Sequence, residues 1–221
     1  MRGWRVTSRA RGPRTLKGAF VSVDAANPTP SVVSFYYNPA SLRRTLQPQQ
    51  VGGEEGDRSE AVRFTGAPVQ TITVEIEIDV TDQLQDGDPA ATKLGALPQL
   101  AALELLVYPS LNQVNQTQAQ LAGGVMEVSP LTAPRTLFVW GDKRVLPVRI
   151  NSYEISEELF DTRLNPIYAK VTIAMRVLTY SDLDGGNREY FEFMTYQQGL
   201  NALAAQAPTA PRAIGADPAA M

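Results

Sequence analysis

The chain has 221 residues, of which 43% are hydrophobic and 19% charged. This composition is typical of a globular protein that folds without disulfide or metal cross-links. It contains no cysteine, which excludes disulfides and thiolate metal sites. It also contains no histidine, so the commonest general base and the commonest transition-metal ligand are both missing.

No apolar run reaches the ~18 to 20 residues that span a membrane. The N-terminus carries charges but no apolar stretch behind them, unlike a secretory signal. We therefore expect a cytoplasmic protein with no stable membrane insertion.

The net charge of −3 is unevenly distributed. The first twenty residues hold six bases and no acid, and the remainder holds 14 bases against 23 acids. The basic residues of this N-terminal arm (residues 1–18) are Arg2, Arg5, Arg9, Arg11, Arg14 and Lys17. Two interpretations stay open: a solvated, mobile terminus, or an arm that orders against an acidic neighbouring subunit. An acidic body argues against nucleic acid as a partner.

The pattern of residues 19–24 and 31–37 predicts two short strands, the second ended by Asn38-Pro39. Their closeness in sequence indicates a hairpin. The glycine- and charge-rich stretch 47–59 is typical of an exposed loop.

Residues 71–80 give the strongest strand signal, because apolar and polar side chains alternate strictly. One face holds Ile72, Val74, Ile76, Ile78 and Val80. The opposite face holds Glu75, Glu77 and Asp79, which we expect to meet water or a basic partner. Such a strand is half-buried in an antiparallel sheet.

The period then changes to that of a helix. Pro98 suits a first helical turn, and Leu100, Leu103 and Val107 follow at helical spacing. The sequence predicts that this is the only helix in the centre of the chain. The polar, low-complexity residues 111–133 predict a long functional loop.

Three further strands are predicted at 136–140, 144–154 and 167–179, with a tight turn at Gly141-Asp142. On the last strand, Lys170 and Arg176 lie on the polar face and join the acids of residues 71–80 as candidate interface or lumen residues. A helix over 185–205 and a disordered Ala/Pro tail over 206–221 complete the chain. The fold class is mainly β (α+β): an antiparallel barrel or sandwich with one flanking helix and a C-terminal helix.

No constellation of residues predicts catalysis. The lysines Lys93, Lys143 and Lys170 lie in no recognisable motif, and the acids of residues 71–80 are more typical of a solvated stripe than of a glycosidase pair. Asp82, Asp86 and Asp88 do not match the spacing of a calcium loop. We therefore predict a protein that is not an enzyme and has no metal or cofactor.

Several short motifs follow one another in a fixed order along the chain. The first is Phe35-x-x-Asn38-Pro39-x-x-Leu42, followed by Phe64-x-Gly66 before the alternating strand. The helix carries Leu100-x-x-Leu103-Glu104-x-Leu106-x-x-Pro109. Further motifs contain Pro134, Trp140, Gly141, Phe160, Pro166 and Ala169.

In this order the motifs resemble those of the tube-protein domain of contractile injection systems. The resemblance covers residues 19–184 and is closest to baseplate hub or tube-initiator proteins, although the LysM module of many such proteins has no counterpart here. It implies a tail-tube type β-barrel over 19–184, a hexameric ring, and partners that include the inner tube, the spike and other baseplate proteins of a phage-tail-like particle. The alternative function is a soluble binding module that recognises a cargo or a cell-wall ligand.

Overall fold

A computed structural model describes residues 17–23, 31–35, 38–50, 63–124, 131 and 133–207. Within these ranges seven strands form one antiparallel sheet. They are β1 Ala19–Val23, β2 Ser31–Ser34, β3 Leu42–Gln47, β4 Val69–Asp79, β5 Arg135–Val139, β6 Val145–Phe160 and β7 Pro166–Val177.

The order across the sheet is β2-β1-β5-β6-β7-β4-β3. The predicted hairpins β1–β2 and β5–β6 are both confirmed, as is the mainly β, antiparallel fold class. The sheet is strongly curled, because β2 at one end and β4 near the other line the same groove. It therefore encloses its core in the manner of an incomplete barrel.

The core lies on the concave face of the sheet. Every apolar residue predicted to face inwards on the alternating strand is buried, from Ile72 to Val80. Across the ladder these residues face Ala169, Val171, Ile173 and Met175 of β7, which are fully buried. Strict period-two alternation thus places both long strands with one face in the core.

The helices lie mainly between β4 and β5. They are α1 Thr81–Gln85, α2 Pro89–Leu94, α3 Leu97–Glu104, α4 Leu111–Ala122 and, at the C-terminal end, α5 Arg188–Ala204. The predicted central helix is confirmed as α3, whose Leu100 and Leu103 are buried in the core. The expectation of a single central, flanking helix is wrong, because four helices occupy this region.

Local capping explains two of the unpredicted helices. Asp88 caps α2 by accepting hydrogen bonds from the backbone nitrogens of Ala90 and Ala91, both at 2.9 Å, with Pro89 in the first turn. Ser110 caps α4. The predicted loop over 111–133 is wrong in its first half, because leucine, glutamine and alanine favour a helix once a cap starts it.

The strand predicted over 144–154 extends to Phe160. Its last part pairs only with β7, and the two strands form a long hairpin that projects beyond β5. The predicted C-terminal helix is observed as α5, and α5 packs against β6. The predicted loop residues 51–59, the N-terminal arm up to residue 16 and the tail from 208 lie outside the described residues.

Candidate assembly surface

Among the described strands, the longest stretch without a strand partner on one side belongs to β6. Pairing between β5 and β6 stops at Thr136 and Val148. Pairing between β6 and β7 continues to Phe160 and Pro166. Within the described residues, 149–160 therefore present twelve residues of strand with no partner on one side, which we call the β6 free edge. An unpaired edge of this length is a template for another strand.

A second open edge belongs to β3, the last strand at one end of the sheet. Arg43 and Thr45 are exposed, and Leu46 is half exposed. Arg44 on the same strand turns inwards, and its Nη2 donates to the hydroxyl of Tyr196 at 2.9 Å. This bond ties β3 to α5 and holds its free edge in position.

The convex face of the sheet is acidic at one end. The predicted candidates Glu75, Glu77 and Asp79 lie there together on β4, with Glu77 directly opposite the predicted Lys170 of β7. Glu154 and Glu158 of the β6 free edge extend the same acidic area. Lys170 Nζ lies 5.8 Å from the centre of the Tyr168 ring. Partial burial and the nearby Glu77 raise the pKa of Tyr168.

The other end of the convex face is basic. Arg176 stands opposite Arg149 on adjacent strands, and Arg43 lies on β3 at the same end of β4. The predicted candidate Arg176 already has a partner in its own chain, because its Nη2 lies 2.6 Å from Asp182 Oδ1. The convex face therefore carries opposite charges at its two ends.

The tip of the β6–β7 hairpin is both exposed and ordered. Asp161 Oδ1 accepts hydrogen bonds from the backbone nitrogens of Arg163 at 2.7 Å and Asn165 at 2.8 Å. Asp161 Oδ2 accepts from Asn165 Nδ2 at 2.8 Å. These bonds from Asn165 are the main reason that the pKa of Asp161 is lowered. Leu159 and Leu164, exposed at the tip, both have positive φ, a strained conformation for leucine.

The residues of the sequence motifs lie where strands and helices contact the segments that connect them. Phe35 and Trp140 pack in one aromatic group with Phe20 and Phe138; Phe35 is buried and Trp140 is half-buried. Asn38 Oδ1 accepts from the backbone nitrogen of Gly18 at 2.9 Å.

The other motif residues are placed similarly, although the fold does not bring them together as one site. Pro39 is half-buried, Gly66 lies against Ser181, and Gly141 has φ +71° in the β5–β6 turn. Burial, and to a smaller extent the nearby Glu104 of α3, raises the pKa of Tyr153 on β6. Pro166 begins β7, and its carbonyl oxygen accepts from Ala96.

The predicted arm residues Arg2, Arg5, Arg9, Arg11 and Arg14 lie outside the described part of the chain. Within the described ranges, no group of three or more acids could hold a metal ion. None of the described helices combines the length and the apolar character needed to cross a membrane.

The sequence reasoning missed the β6 free edge. Alternation on β6 weakens after Ile155, where Glu157 and Glu158 follow each other, so the pattern indicated an early end. The available signal was the pair Phe160 and Pro166, one on each side of a short polar turn, which is typical of a hairpin.

Comparisons with known proteins give little further information. No protein-family model matches the sequence, and no curated protein matches it. Among solved structures, the tail of an empty gene transfer agent (GTA) particle with C6 symmetry is similar at a TM-score of 0.29 and 11% identity, covering 72% of this chain and 90% of that chain.

Two further structures show similar values. The virion of the native GTA particle gives a TM-score of 0.27 at 10% identity, covering 72% of this chain and 90% of the other. The baseplate of the anti-feeding prophage gives 0.29 at 11% identity, covering 77% and 94%. At TM-scores below 0.5 these likenesses assign neither a family nor a function.

Proposed function

We propose that this protein is a structural subunit whose copies join edge to edge into a ring. The observation that carries the proposal is the β6 free edge, twelve residues of strand without a partner on one side, in a sheet whose end strand β3 also has an open edge. Isolated edges of this kind invite aggregation unless another chain covers them. A closed ring covers every such edge with a neighbouring copy.

The two edges are complementary in charge. The β6 free edge carries Glu154 and Glu158 on the convex face, and β3 carries Arg43 on the same face. Pairing β3 of one copy with β6 of the next continues the sheet from subunit to subunit. Each new backbone hydrogen bond contributes about 0.5–1.5 kcal/mol. Contacts between two different surfaces of identical subunits generate either a ring or an open filament.

The resemblance of the sequence to tube-domain proteins supports a closed ring of six. In this proposal the ring belongs to the baseplate of a phage-tail-like contractile injection system and connects the inner tube to the spike, as a tube initiator or hub adaptor. The acidic face at Glu75, Glu77 and Asp79 then lines the lumen or contacts another subunit. The role is mechanical, since the ring must match its partners and bear load, and it requires no catalytic group.

The test is a charge exchange between the two edges. We expect Arg43→Glu alone, or Glu154→Lys with Glu158→Lys, to abolish rings seen by negative-stain electron microscopy and mass photometry. Combining all three substitutions restores opposite charges across the contact, so rings should return. The matched control combines Arg43→Glu and Glu154→Lys with Glu157→Lys in place of Glu158→Lys. Because Glu157 lies on the opposite face of the same strand, this variant should restore rings less completely.

Two outcomes contradict the proposal at different levels. Rings that persist in every variant place the contact elsewhere on the subunit. A wild-type protein that stays monomeric at high concentration, and also with tube and spike proteins of the same system, contradicts the ring itself. Binding of that monomer to a cell-wall glycan would support the alternative of a binding module.

A further inference from the structure

A groove of about 400 Å³ lies where the curled sheet nearly closes on itself. Strand β2 forms one wall, helix α3 forms the other, and the end of β4 forms the floor. Its lining is largely apolar and includes Val32, Phe35, Ile78, Pro98 and Leu103. The volume is within the range of sites that hold a ligand or a large side chain, about 300–1,000 Å³.

One polar atom in this groove has no hydrogen-bond partner, and an acidic side chain lies at the rim. The Oε1 atom of Gln99 on α3 is buried and accepts no hydrogen bond. An unsatisfied buried acceptor is costly, so a donor supplied by an occupant would be favoured. At the rim, Asp79 uses Oδ1 to accept from the backbone nitrogen of Thr81 at 2.8 Å. The occupant that fits is therefore apolar, carries one N–H donor, and has a cation next to it.

The described chain begins beside this groove. The backbone nitrogen of Phe35 donates to the carbonyl oxygen of Gly18 at 2.9 Å, and Phe35 lines the groove. The preceding arm contains Trp4, Arg5 and Val6. Tryptophan combines a large apolar ring with one N–H donor, and alternation places Arg5 on the side opposite Trp4 and Val6 in an extended segment.

We propose that the N-terminal arm of the same chain docks in this groove, with the Trp4 ring against its apolar walls. The indole N–H then donates to Gln99 Oε1, and the guanidinium of Arg5 pairs with Asp79. Twelve residues lie between Trp4 and Lys17, and the thirteen Cα–Cα steps span up to about 40 Å when extended, so the arm reaches easily. A tether this short holds Trp4 near the groove at an effective concentration in the millimolar range.

Docking of the arm also affects which edges remain open. The side chain of Val32 on β2 is 63% exposed, and an arm docked along β2 would cover this side chain. Strands β3 and β6 are then left as the edges available to other copies. The docked arm itself does not depend on ring formation and can be tested in a monomer.

The first experiment uses tryptophan fluorescence of the full chain. The protein has two tryptophans, Trp4 and Trp140, so Trp140→Phe leaves Trp4 as the only indole. We expect blue-shifted emission and weak acrylamide quenching. Adding Ala102→Phe, which fills the groove, should shift the emission to the red and raise the quenching constant several-fold. Ala101→Phe, on the exposed side of the same helix, is the matched control and should change neither.

The second experiment keeps Trp140 and uses the absence of cysteine from the chain. We expect the pair Trp4→Cys and Val32→Cys to form a disulfide within one chain at low protein concentration. The control pair Trp4→Cys and Leu46→Cys, on the distant β3, should form it much more slowly. Equal rates of disulfide formation for the two cysteine pairs would overturn the proposal. So would free acrylamide quenching of Trp4 in the Trp140→Phe protein that still has Ala102. Disulfide-linked dimers would assign the groove to the arm of a neighbouring copy and would also overturn it.

Discussion

At the scale of single residues, Gly95 joins the helical layer to the long strands. It lies between α2 and α3 with φ +57°, and a Cβ added there would overlap the carbonyl oxygen of Pro166. The next residue, Ala96, donates its backbone N–H to the same oxygen at 2.8 Å. Only glycine has both the conformation and the space for this contact.

We expect Gly95→Ala to lower the free energy of unfolding by at least about 2 kcal/mol, because strained backbone and steric overlap add. The measurement is the midpoint of urea denaturation. Gly87→Ala is the matched control, since Gly87 has φ +72° but nothing within 4 Å of an added Cβ. It should cost only about 1 kcal/mol. Equal losses would show that the close approach of Pro166 does not matter.

At the scale of elements, the β6–β7 hairpin depends on one carboxylate at its tip. Asp161 accepts three hydrogen bonds from Arg163 and Asn165, and these keep the exposed turn in a single conformation. A preorganised tip loses less entropy when it contacts a partner. The order of the hairpin tip should therefore depend on the charge of Asp161.

The lowered pKa of Asp161 predicts how pH affects this tip. A depressed folded-state pKa means that the stabilisation is present above the unfolded value, about 3.9, and is lost as pH falls through the folded-state pKa. We expect hydrogen-exchange protection of the Arg163 and Asn165 amides to hold between about pH 5 and 7 and to fall below about pH 4.

The control for this pH dependence is Asp161→Asn, which cannot titrate. It should show lower protection at neutral pH and little further loss in acid. The same acid-induced loss in this variant would assign the effect to another group.

At the scale of the whole molecule, charge is separated along the convex face of the sheet. Glu75, Glu77 and Asp79 mark the acidic end and lie on β4, next to β7. Reversing all three to lysine leaves the core untouched, because these side chains point away from it. The effect should therefore appear in assembly and not in folding.

We expect this triple reversal to give a folded subunit by circular dichroism, with fewer complete particles or less cargo passing through them. The control reverses three exposed acids outside this face, Asp86, Asp142 and Asp184, and changes the net charge equally. Particles unchanged in number and activity would contradict a lumen or interface role for the acidic face.

Much of the fold follows from local patterns in the sequence. Alternation at Ile72 to Val80 predicts the strand and its buried face, since one side of a half-buried strand must be apolar. Pro98 and the spaced leucines predict α3. Helix α4 escaped prediction, because its sequence is rich in glutamine and asparagine, which is also typical of a loop, and none of its residues is buried.

The candidate surface was only partly predictable. The acids on β4 were found from alternation alone, whereas the β6 free edge depends on where β5 stops pairing. The partner of Arg176 also needed the fold, because Asp182 reaches it only after the chain turns back at the end of β7. A sequence pattern gives the face on which a side chain lies but not its neighbours.

By itself, the sequence determined the strand-rich class, the buried faces of β4 and β7 and the uneven charge, since each follows from residue type and period. Only the tertiary structure decided the strand order, the length of the β6 free edge and the groove between β2 and α3. These features arise when segments far apart in the chain come together as the sheet curls. No local pattern encodes such distant pairings, and the surfaces proposed for assembly are defined by them.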